Sequence, residues 1–76
     1  MNDSYSAYVA AAKVTAKWEL PHDMLENGII VHHVPKDTSK GYAIVNSIRF
    51  AVKKAGFTPR ITWLDDWTLK VIWLNQ

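Results

Sequence analysis

Apolar residues recur at three- and four-residue intervals between Asp37 and Ala55, where Ile44, Val45, Ile48, Ala51, Val52 and Ala55 fall on one stripe of an α-helix. Both ends of this helix, about residues 38–55, are marked. Asp37, Thr38 and Ser39 offer N-capping oxygens, while Lys53 and Lys54 sit at the negative end of the helix dipole. Gly56 supplies the stop and Pro59 prevents continuation. Beyond it, Arg60–Leu64 and Thr68–Leu74 are rich in β-branched and aromatic residues and flank Asp65-Asp66-Trp67, which predicts a β-hairpin. A two-residue turn at Asp65-Asp66 would set Ile61 opposite Lys70. A three-residue loop that includes Trp67 aligns Ile61 with Val71 and Trp63 with Leu69, and collects Ile61, Trp63, Leu69, Val71 and Trp73 on one face. The second register is expected, because a buried face fixes pairing.

The first third of the chain carries two patterns at once. Val14, Ala16, Trp18 and Leu20 alternate strictly with Lys13, Thr15, Lys17 and Glu19, which predicts a strand over Lys13–Leu20 after a short helix near residues 4–11. The competing reading runs an Ala-rich helix from Ser4 through Lys17, with Ala7, Ala10, Ala11, Val14 and Trp18 on one face. Pro21–Gly28 reads as a loop and Ile29–Val34 as a strand. The expected fold is therefore α+β: a small antiparallel sheet of about four strands, one long helix on one face, and a short N-terminal helix. A winged-helix-like arrangement is the alternative, with the long helix for recognition and the terminal hairpin as wing. Against it, no clear helix–turn pair precedes the long helix, and phosphates would repel the acidic Asp65-Asp66 tip.

Composition limits the function classes. The 76 residues allow a single domain over 1–76, with 49% hydrophobic content to build its core. The absence of cysteine removes disulfides and thiolate chemistry and fits a reducing, cytoplasmic location. No run approaches the roughly 20 apolar residues of a membrane span. Ser4–Ala12, uncharged but short and preceded by Asp3, makes a poor signal peptide. His22, His32 and His33, even with Asp23, match no metal-ligand spacing, and adjacent strand residues point to opposite faces. Asp65 and Asp66 at a hairpin tip lack the burial that acid–base chemistry needs. No nucleophile elbow or P-loop occurs, so neither enzyme activity nor a cofactor is expected.

What remains is binding. From Thr38 to Leu64 the charged residues are Lys40, Arg49, Lys53, Lys54 and Arg60, with no acid among them. With Tyr42, Asn46 and Phe50 interleaved, this stretch is the first candidate nucleic-acid surface, since cations hold phosphates and aromatic rings stack on bases. A sheet face carrying Lys13, Thr15, Lys17 and Lys70 is the second. The other function class is a protein-binding inhibitor or adaptor of the phage or mobile-element accessory type, blocking a larger host protein or nucleoprotein complex. There Trp67, Leu64, Ile72 and Leu74 would carry the interface. A homodimer is expected as well, because one helix can cover only one side of the sheet.

Overall fold

A computed structural model describes residues 4–75. Its elements run α1 (Ser4–Lys17), β1 (His22–Leu25), β2 (Gly28–His32), α2 (Ser39–Lys54), β3 (Phe57–Asp65) and β4 (Thr68–Asn75). The four strands form one antiparallel sheet in the order β1-β2-β4-β3, as the α+β expectation requires. Both helices lie on the same side. Ala7 and Ala11 from α1 and Ile44, Ile48 and Val52 from α2 are buried with Ile29 and Val31 of β2 and Leu69, Val71 and Trp73 of β4.

The long helix forms where the periodicity places it. Thr38 is its N-cap and its hydroxyl accepts from the Gly41 N–H at 3.0 Å while donating to the Pro35 carbonyl at 2.7 Å. A Cβ at Gly41 would collide with that same carbonyl, so glycine is what lets the β2–α2 connection fold onto the first turn. At the other end Gly56 has φ +96°, the left-handed conformation that ends many helices.

The hairpin register is the one the buried face demands. Ile61 pairs with Val71 and Trp63 with Leu69. The extra residue sits differently from expectation: Asp65 pairs with Thr68, and a bulge between Trp63 and Asp65 absorbs Leu64. The tip is held from both directions. Asp65 Oδ1 accepts from the Trp67 N–H at 2.8 Å, and the Trp67 and Asp66 carbonyls accept from the N–H groups of Val34 and Lys36 at 2.9 and 3.0 Å.

The strand expected over Lys13–Leu20 is helix as far as Lys17. Alanine is the best helix former, and only a helix brings Ala7, Ala11 and Thr15 together on one buried face. The alternation ends in a Schellman-type cap. The Glu19 N–H reaches the Ala16 carbonyl, the Leu20 N–H reaches that of Thr15, and Glu19 takes φ 57°. The fourth strand is β1, inside the segment read as a loop. It is tied to α1 by His22, whose Nδ1 lies 3.1 Å from Thr15 Oγ1 and whose Nε2 lies 3.0 Å from Tyr8 Oη. Thr15 donates its hydroxyl hydrogen to the Ala12 carbonyl, so His22 Nδ1–H donates to Thr15 and, in that neutral tautomer, Nε2 accepts a hydrogen bond from the Tyr8 hydroxyl.

Candidate nucleic-acid interface

Charge is segregated by layer. The 14 residues of α1 hold Lys13 and Lys17, the 16 of α2 hold Lys40, Arg49, Lys53 and Lys54, and neither helix contains an acid. All six cations are exposed. The acids Glu19, Asp23, Glu26, Asp37, Asp65 and Asp66 lie on strands and turns. Among the described residues the one ion pair is His32 with Asp23, 2.8 Å apart, so none of the six helix cations is paired with a described carboxylate.

Opposite its buried stripe, α2 presents Tyr42, Asn46, Arg49, Phe50 and Lys53, all exposed. Phe50 and Tyr42 keep 69% and 59% of their surfaces open. Arg49 Nη1 donates to Asn46 Oδ1 at 3.0 Å, which fixes the guanidinium one turn along the strip. Where the C-terminal halves of the two helices converge, a groove of about 420 Å³ opens. Its floor is Ala10, Val14, Ala51 and Ala55, and Lys13, Lys17 and Lys54 stand around it. Small floor residues make the depression; the lysines make it electropositive.

Two expected groupings come apart. Lys13, Thr15 and Lys17 are helical, so they share no sheet face with Lys70, and Thr15 is fully buried beneath α1. The two lysines instead join Lys54 across the groove. Arg60 leaves the α2 strip, because it pairs with Ile72 on β4 and strand alternation turns both away from the helices. Trp18 is likewise not on the sheet; it follows α1 and packs half-buried against the core.

The outer sheet face carries the rest of the candidates. Register places Asp23, Ile30, Lys70 and Thr62 in one row and Ile72 beside Arg60 in the next, with Leu25 and Leu74 completing an apolar band. Leu64 stands exposed at the bulge and Trp67 exposed at the tip. Asp65, fixed there by hydrogen bonds from the Trp67 N–H and from Thr68, has its carboxyl held below the usual range. These bonds favour the charged form.

Leu25 and Ile30 were not anticipated as surface residues. Alternation about Ile29 and Val31 carried the signal for Ile30, whereas Leu25 became legible only with β1. The groove floor was hidden because small residues read simply as helix formers. His32 and Asp23 pair on the outer face while His22 is turned toward α1. No group of three or more His, Asp or Glu that could hold a metal ion occurs among the described residues. Compared with known protein-family models, curated proteins and solved structures, the chain matches none.

Proposed function

We propose that this protein is a non-catalytic nucleic-acid-binding module that grips a phosphate backbone, DNA first, with its helix layer. The observation that carries this reading is the acid-free pair of helices with six exposed cations. Phosphates would lie along Arg49, Lys53 and Lys54 and across the groove to Lys13 and Lys17, with Lys40 at the start of α2. Phe50 and Tyr42 offer exposed rings for base stacking, which favours a strand with accessible bases. Backbone contacts of this kind position a partner without reading its sequence.

Titration of random-sequence duplex and single-stranded DNA and RNA at two salt concentrations tests the reading. Arg49→Ala/Lys53→Ala should weaken binding by about 1–3 kcal/mol and flatten its salt dependence, since fewer counterions are released. The fold should survive, as exposed substitutions usually move stability by about 0.5 kcal/mol. No binding by the wild-type chain at low salt would discard the nucleic-acid reading. The protein-binding inhibitor then takes its place, favoured by Trp67 and Leu64 standing exposed around the clamped hairpin tip. Binding unaffected by the double substitution would shift the contact to Lys13, Lys17 and Lys54.

A further inference from the structure

We propose that the outer face of the sheet is where two copies of this chain meet, related by a two-fold axis that runs parallel to the strands between β2 and β4. Both helices are spent on the inner face, so the outer one is bare. Leu25, Ile30, Ile72 and Leu74 form an apolar band across β1, β2 and β4, with Lys70 set into it, that a second sheet can cover. The charges on that face are ordered across the strands. Asp23 lies on β1, at one edge of the sheet, and Arg60 on β3, at the other, while Lys70 lies on the central strand β4 beside Ile30.

An axis along the strands maps β1 of one copy onto β3 of the other. Asp23 of each copy then stands over β3 of its mate, at Thr62 and one row from Arg60, and the contact occurs twice. An axis perpendicular to the strands would set β1 against β1 and acid against acid. The face is thus self-complementary under one symmetry and self-repelling under the other, which selects a second copy of this chain as the occupant. Asp23 is available for it, since 69% of its side chain remains open despite the bond to His32.

This inference does not rest on nucleic-acid binding, and its test contains no nucleic acid. Sedimentation of the full chain from micromolar to millimolar concentration should show the 8.7 kDa species giving way to one of twice that mass. Ile72→Lys should abolish that shift while leaving the circular dichroism spectrum unchanged. Asp23→Lys and Arg60→Asp should each weaken the dimer about tenfold, and the two together should restore it to within about threefold of wild type. A chain that stays at 8.7 kDa throughout overturns the proposal. So does a dimer indifferent to Ile72→Lys, or a double charge exchange whose losses simply add. The two exchange variants alter exposed side chains at the sheet edges, so they remain informative if Ile72→Lys fails to fold.

Discussion

Trp73 has 2% of its surface exposed, and its indole N–H donates to Ser4 Oγ at 2.8 Å. Ser4 in turn donates to the Glu26 carbonyl, so one side chain joins β4, the start of α1 and the β1–β2 turn. Removing it should cost about 3–5 kcal/mol, the range for a buried aromatic deletion. Trp63, half-buried on the edge strand, should cost less when replaced by alanine. Urea unfolding of Trp73→Ala and Trp63→Ala checks the order, and a larger loss at Trp63 would contradict it. Strand alternation placed both tryptophans on the correct face. It could not rank them, because burial depends on whether a strand is central or at an edge, and β4 became central only through its pairing with β2.

At the scale of elements, the structure divides into parts with local signals and parts without. The long helix carried its caps and its stripe in contiguous sequence, and the terminal hairpin carried a register that only one buried face satisfies. The segment before them satisfied two periods at once, and its strict alternation favoured the strand. Besides alanine's helix propensity, contacts outside the segment separated the Ala-rich helix from the alternating strand: Thr15 and Tyr8 with His22, and the burial of Ala7 and Ala11 in the common core. With Lys13 and Lys17 assigned to the wrong element, the groove could not be seen. Strand β1, four residues long with no apolar alternation, gave no pattern of its own, and it turns into β2 through Glu26-Asn27. The cap that ends α1 makes its own prediction. Glu19 holds a left-handed conformation that costs a side-chain-bearing residue about 1–2 kcal/mol. Glycine there removes that strain but loses some unfolded-state restriction, so Glu19→Gly should stabilise the protein by about 0.5–1 kcal/mol. A thermal midpoint unchanged or lowered in the variant would show that the Glu19 side chain contributes more than its backbone conformation costs.

Across the whole molecule, cations crowd one layer. Lys13, Lys17 and Lys54 surround a single groove without a carboxylate among its lining residues, and folding brings them together from helices that the unfolded chain keeps apart. Their mutual repulsion opposes the native state and is screened over about 8 Å at physiological ionic strength. Raising sodium chloride from low to moderate concentration should therefore raise the thermal midpoint. Replacing Lys54 with glutamine should reduce that rise, and a midpoint that falls as salt is added would show that attractive pairs dominate instead. Salt thus acts with opposite signs on two properties of one surface: it steadies the fold and weakens the proposed grip on phosphates.

The separation of acid-free helices from acid-bearing strands and turns also gives the molecule an electric dipole that its formal net charge of +2 does not express. In the field of a polyanion such a body experiences a torque as well as a pull. It turns its helices toward the other charge while still in free diffusion, and a larger share of encounters then begins in the productive orientation.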